Sequence, residues 1–126
     1  MTPTFSMRAR AGLLGLCALL LTACAGPQIF HTQLSALDKG MSQQQTVSTL
    51  GLPPLSRHTA IIGPRRFEFD RYRINNGLQA DTYLLAYEHG GLVYWGYVAE
   101  FRRHPDVDLG NAVGKVLQEV AAQPSR

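Results

Sequence analysis

The sequence predicts an α+β domain: two short N-terminal helices packed on a three-stranded antiparallel sheet, plus a C-terminal helix. Three stretches carry that expectation. Ser42 to Gly51 has the polar start and the glycine stop of a helix. Thr82–Glu88 and Leu92–Phe101 are runs of β-forming residues joined through His89-Gly90-Gly91. Leu109, Val113, Val116, Leu117 and Val120 recur at helical spacing.

Ahead of the domain, Arg8 and Arg10 precede the apolar run Ala11–Leu21, and Leu21-Thr22-Ala23-Cys24 closes it. A basic start, an apolar stretch shorter than the ~20 residues of a transmembrane helix and small residues before a cut are the parts of an export signal. The final four residues have the form of a bacterial lipoprotein box, in which the Cys24 thiol accepts diacylglycerol. The alternative is an ordinary secretory signal cut after Ala23 or Ala25. Met7 begins a complete basic region of its own, so there are two candidate starts. The expected division is residues 1–23 as signal peptide, 24–32 as tether and 33–122 as one domain. Ala25, where Asp would favour inner-membrane retention, points by the sorting of lipoproteins as a class to the outer membrane. The expected location is its periplasmic face, held by a lipid on Cys24.

Removing 23 of the 126 residues leaves 103, the size of one domain with one modest core. Arg8 and Arg10 leave with the signal, taking the formal charge from +3 to +1. That balance argues against a nucleic-acid partner. Cys17 lies in the signal and Cys24 carries the lipid, so the expected mature domain has no thiol and no disulfide. A cysteine metal site and a cysteine nucleophile are thereby excluded.

Within the tether, Gly26 and Pro27 oppose regular structure. Gln33–Lys39 reads as a short helix, with Leu34 and Leu37 on one face and Gly40 as its stop. In the second helix Ser42 and Gln45 form a capping box, Gly51 closes the helix and Pro53 prevents its return. At two turns it must dock on something to persist. Residues 57–62 read as a short strand and Gly63-Pro64 as a turn. The three-stranded sheet is built from 65–74, 82–88 and 92–102. In the first of these Phe67 and Phe69 share one face while Tyr72 and Ile74 share the other, which implies either a bulge near Asp70 or Arg71 or burial on both sides. Asn75-Asn76-Gly77 is a turn. Gly96 in mid-strand marks a bulge or a close approach. Pro105 breaks the last strand, and Asp106 or Asp108 caps a final helix reaching about Ala122.

The stretch Gly40-Met-Ser-Gln-Gln-Gln-Thr-Val-Ser-Thr-Leu-Gly-Leu-Pro53 resembles the opening motif of the BamE family, also called the SmpA/OmlA domain: Gly-Met-Ser/Thr, a short helix, then Leu-Gly-x-Pro. The resemblance extends in pattern over about residues 33–102. It implies a small outer-membrane lipoprotein with two short helices before a three-stranded antiparallel sheet, acting in assembly or maintenance of the outer membrane. Thr46 and Thr49 depart from the family pattern, which has apolar residues there. The same architecture in β-lactamase-inhibitor-like proteins supplies the alternative of a periplasmic inhibitor or ligand-binding lipoprotein.

The residues offer little chemistry of their own. His31, His58, His89 and His104 show no metal-ligand spacing and read as solvated surface groups. No serine elbow or phosphate loop occurs, so neither an enzyme, a metal, a cofactor nor a small-molecule substrate is expected. Glu68 and Asp70, flanked by Arg66, Arg71 and Arg73, read as a solvated ion-pair cluster. The candidate interface is Arg71, Arg73, Trp95, Tyr97, Arg102 and Arg103. If strands 65–74 and 92–102 were neighbours, aromatic side chains would form a centre and arginines a rim, the anatomy of a protein interface. The expected partners are the membrane, through Cys24, and an envelope protein.

Overall fold

The computed structural model describes residues 26–123. Residues 1–23, expected to be a signal peptide, with both candidate starts, and Cys24 lie outside the described residues. The fold is α+β, with more strands than expected and with helices on both faces of the sheet. In chain order the elements are β1 (Ile29–Phe30), α1 (His31–Leu34), α2 (Gln43–Leu50), β2 (Ser56–Ile62), β3 (Arg65–Asn75), β4 (Ala80–Glu88), β5 (Gly91–Tyr97), α3 (Val98–Arg102) and α4 (Val107–Ala122).

Strands β2 to β5 form an antiparallel meander. Glycines at φ +57° (Gly63) and +78° (Gly90), with His89 at +52°, make its tight turns. β2 covers one edge of β3 up to the Ser56–Arg71 pair, and β1 pairs in parallel with the remaining end through Ile29–Ile74 and Phe30–Asn75. The three-stranded expectation is thus corrected to four antiparallel strands and a two-residue parallel one.

The change of buried face along β3 comes from burial on both sides. Phe67 to Asn75 pair with Glu88 to Ala80 without a slip, so β3 carries no bulge. Phe67 and Phe69 join a core with Leu84, Ala86, Phe101, Leu109, Ala112, Val113 and Val116, under α3 and α4. Tyr72 and Ile74 join a second core with Ile29, Leu37, Leu50, Tyr83, Leu85, Tyr87 and Leu92, beneath the N-terminal segments. Central strand β4 feeds both, and Tyr83 to Tyr87 are buried in an unbroken run. The register does shift between β4 and β5 after Ala86, where Val93 is the extra residue. Gly96 marks a close approach: a Cβ there would lie 3.1 Å from a Glu100 carboxylate oxygen.

The helix over Ser42–Gly51 forms as its sequence dictates. Ser42 Oγ accepts from Gln45 N at 3.1 Å, Ser42 N donates to Gln45 Oε1 at 2.9 Å, and Gly51 closes it at φ +70°. The first helix is shorter and earlier than expected, His31–Leu34 in place of Gln33–Lys39. Gly40 therefore ends no helix. Its N–H donates to Leu92 O while Leu92 N donates to Met41 O, both at 2.8 Å, which lays residues 40–41 along the outer edge of β5. Backbones meet so closely there that a Cβ on Gly91 would stand 3.2 Å from Gly40 Cα.

A further correction concerns 92–102. The strand stops at Tyr97, and Val98–Arg102 is helical, with Glu100 Oε1 reaching back to accept from Tyr97 N at 2.9 Å. Asp106 rather than Asp108 caps α4, accepting from Asp108 N at 3.2 Å.

Candidate functional site

The residues expected to form one interface are divided by the sheet. β4 lies between β3 and β5, so strands 65–74 and 92–102 are not neighbours. Arg71 pairs with Leu84, on the face of α3 and α4, whereas Trp95 and Tyr97 pair with Leu85 and Tyr83, on the opposite face. An aromatic centre with Arg71 and Arg73 as its rim is not assembled. Arg71 is half-buried and donates from Nε to Ser56 Oγ at 2.8 Å; exposed Arg73 donates to Ala80 O at 3.4 Å. Arg102 and Arg103 are exposed at the end of α3. Trp95 and Tyr97 are half-buried on β5. The Tyr97 ring meets Tyr83 edge-on at 5.2 Å between centroids, and its hydroxyl lies 2.8 Å from His31 Nε2.

The other arginines are scattered. Arg65 joins Glu88, Asp106 and Asp108 at 2.8–3.1 Å. Its guanidinium holds the Glu88 and Asp106 carboxyls below the usual carboxylate range through direct hydrogen bonds, and they in turn hold Arg65 above its ordinary value. Arg66 pairs with Glu68 at 3.2 Å in a solvated contact.

Asp70 does not belong to that solvated cluster. It is fully buried beneath α2, where Oδ1 accepts from Gln43 Nε2 at 3.1 Å and lies 3.2 Å from Arg57 Nε, and Oδ2 has no hydrogen-bond partner among the described residues. Burial pushes the Asp70 pKa up, against the opposing pull of Arg57 and Gln43. Beside it Thr46 Oγ1 bonds the Tyr87 hydroxyl as well as Gln43 O. Thr46, polar where the resembled family is apolar, thus fixes α2 to the sheet by a buried hydrogen bond. An open cleft of about 520 Å³ adjoins this cluster, lined by Ser42, Gln43, Gln44, Val47 and Arg57 among others.

Sequence reasoning also missed a second polar chain. His58, expected on the surface, is buried. Its Nε2 lies 2.8 Å from Ser56 Oγ and its Nδ1 2.9 Å from Glu119 Oε2. Strand spacing places Ser56 and His58 on one face; nothing in the sequence brings Glu119 to them across 61 residues. Hydroxyl, imidazole and carboxylate stand in the order of a proton relay, but Arg71 already occupies the serine oxygen. The clefts around α2 and Gly40 are lined by other residues. The chain fastens the C-terminal half of α4 to β2, as Lys115 does by donating to Ile61 O at 2.7 Å.

Among the described residues no group of three or more His, Cys, Asp or Glu could hold a metal ion, and no helix is long and apolar enough to cross a membrane. Comparison of the chain with protein-family models, curated proteins and solved structures finds no match.

Proposed function

We propose that the protein is a lipid-anchored, non-enzymatic module of the outer membrane, exposed to the periplasm, that acts through protein–protein contacts in envelope assembly or maintenance. The observation that carries this reading is the box Leu21-Thr22-Ala23-Cys24 behind a basic and apolar leader. The likeness of Gly40–Pro53 to the SmpA/OmlA motif supports the assembly role, and the capped α2 within that stretch is consistent with it. Trp95 and Tyr97 are the contact residues we favour, because half-buried aromatics offer much area at little entropy cost and, among the described residues, the segments that cover their face are short.

One preparation tests both parts. A mature chain with two or more acyl groups stays with the membrane through high-salt washing, because one chain alone binds only marginally. Cys24→Ser leaves an uncut or soluble form. An unmodified Cys24 thiol in the membrane-derived protein, read by mass spectrometry, ends the lipoprotein reading. Affinity isolation from detergent-solubilised membranes then recovers barrel-assembly subunits if the assembly role holds. Recovery of a soluble hydrolase supports the inhibitor reading in its place, and Trp95→Ala lowers recovery of the true partner while the fold is retained.

A further inference from the structure

We infer that the end of the domain formed by Phe30 and the β3–β4 turn, with Leu78 at its tip, rests in the lipid surface when the chain is anchored. The inference depends on lipidation of Cys24, as proposed above, and adds to it an orientation and a contact site.

The tether sets the range. Ile29 is completely buried and paired with Ile74, so the chain is clamped at the β1 end of the sheet. Cys24 lies five residues earlier. Five residues span at most about 17 Å, which keeps a lipid on Cys24 close to that end. β1 runs toward the β3–β4 turn, and Asn75 Nδ2 donates to Gln28 Oε1 at 3.1 Å, so the residue ahead of Ile29 is still tied to the end of β3 from which that turn departs. The other end of the sheet lies the length of β3 away, about 33 Å for its eleven residues.

Side-chain chemistry selects the same end. Leu78 is 99% exposed and Phe30 53% exposed. Phe30 pairs with Asn75, the residue from which the turn departs. The turn holds its leucine outward with its backbone donors satisfied internally. Gly77 N donates to Asn75 Oδ1 at 2.8 Å; Leu78 N and Gln79 N donate to Asn76 Oδ1 at 3.1 and 2.9 Å; Asn76 N donates to Gln79 O at 3.0 Å. Such a turn enters the lipid interface without stranding those N–H groups, the cost that bars ordinary loops from apolar surroundings. Exposed Val107 and Ile61 lie at the distal end, where Glu88, Asp106 and Asp108 surround Arg65. Three carboxylates about one guanidinium disfavour an anionic bilayer surface.

The test uses the full chain isolated with its own lipid and reconstituted in phosphatidylethanolamine–phosphatidylglycerol vesicles. The sequence has two cysteines, one in the signal and one at position 24. Leu78→Cys and Val107→Cys therefore each supply one free thiol for an environment-sensitive fluorophore. The expected result is blue-shifted emission at position 78, quenched by spin-labelled lipid and shielded from iodide, with aqueous emission at position 107. Equal iodide quenching at both positions in vesicle-bound protein overturns the inference and leaves the anchor standing. Lipid quenching at both would reflect insertion by the fluorophore or a domain lying flat, and also overturns it. Shielding of position 78 from iodide without lipid quenching assigns the tip to a protein contact, with the same consequence. Two labels per chain and failure to float with vesicles remove the lipidation reading itself.

Discussion

On one face of the sheet a sixteen-residue helix, α4, buries Leu109, Ala112, Val113 and Val116 against Phe67, Phe69, Leu84 and Phe101. On the other, the eight-residue α2 buries Leu50 and Thr46 and is held by polar links: Thr46 to Tyr87, Gln43 to Asp70, and Gln33 Nε2 to Leu50 O at 2.8 Å. Tyr72 adds a bond from its hydroxyl to Leu52 O at 2.9 Å, and burial raises its pKa to about 12. The difference follows from length. Four turns present a full apolar stripe, and the area it buries exceeds the entropy cost of ordering it. Two turns bury too little to do so, and hydrogen bonds, caps and close backbone contacts supply the rest.

The largest expected effect probes the apolar face. Phe101→Ala empties a position between Phe69, at 5.9 Å between ring centroids, and Tyr94, at 4.9 Å. It should cost about 3–5 kcal/mol in denaturant unfolding, much of the roughly 5–15 kcal/mol a domain possesses. A loss below about 1 kcal/mol would mean that this face is not the principal core.

On the polar face the effects should be smaller and spread over several groups. Gly51→Val places a β-branched residue at φ +70° and should cost about 1–2 kcal/mol or more. Ser42→Ala should cost about 1 kcal/mol through the lost cap. Tyr87→Phe should cost about 1 kcal/mol, leaving the Thr46 hydroxyl its bond to Gln43 O. Three negligible effects would show that α2 is held by apolar contact after all.

The smallest effect has the opposite sign and sharpens the contrast between the two charged sites. Asp70 has a raised pKa in the fold, so its neutral form is the one favoured there. Its contribution is most favourable below the unfolded value and is lost as pH rises through the folded value. Asp70→Asn should therefore stabilise by about 0.5 kcal/mol near pH 7, with the gain shrinking as pH falls toward the ordinary carboxylate range. Glu88 and Asp106, with lowered pKa values, behave in reverse: their contribution is present above the unfolded value and disappears as pH falls through the folded one. Arg65→Gln should consequently lower stability at neutral pH and matter less in acid. Chemical denaturation of both variants across pH 3–8 checks the signs; parallel slopes would contradict the opposite shifts of the Asp70 carboxyl and the carboxyls held by Arg65.

How much was legible follows from the range of each interaction. The cap at Ser42, the stop at Gly51, the Gly63-Pro64 and His89-Gly90 turns and the stripe of α4 each depend on residues within a few positions of one another, and each was readable. The end of β5 was not. Val98-Ala99-Glu100-Phe101 suits a strand as well as a helix, and what turns it is the Glu100 carboxylate on Tyr97 N together with Phe101 packing on Phe69. The interface residues suffered in the same way: alternation assigns each to a face of its own strand, but the relation between strands was assumed, and β4 lies between them.

The sequence by itself determined the turns and caps, the alternation within strands and the mixed α+β class, because these rest on short-range backbone preference and periodicity. Only the tertiary structure decided which edge β1 and β2 share, that residues 40–41 close over β5, that both faces of the sheet are covered, and that Thr46, His58 and Asp70 are buried. A polar side chain takes its environment from whatever the fold sets against it. Glu119 reaches His58 across 61 residues and Gln43 reaches Asp70 across 27, separations at which sequence pattern carries no information about contact.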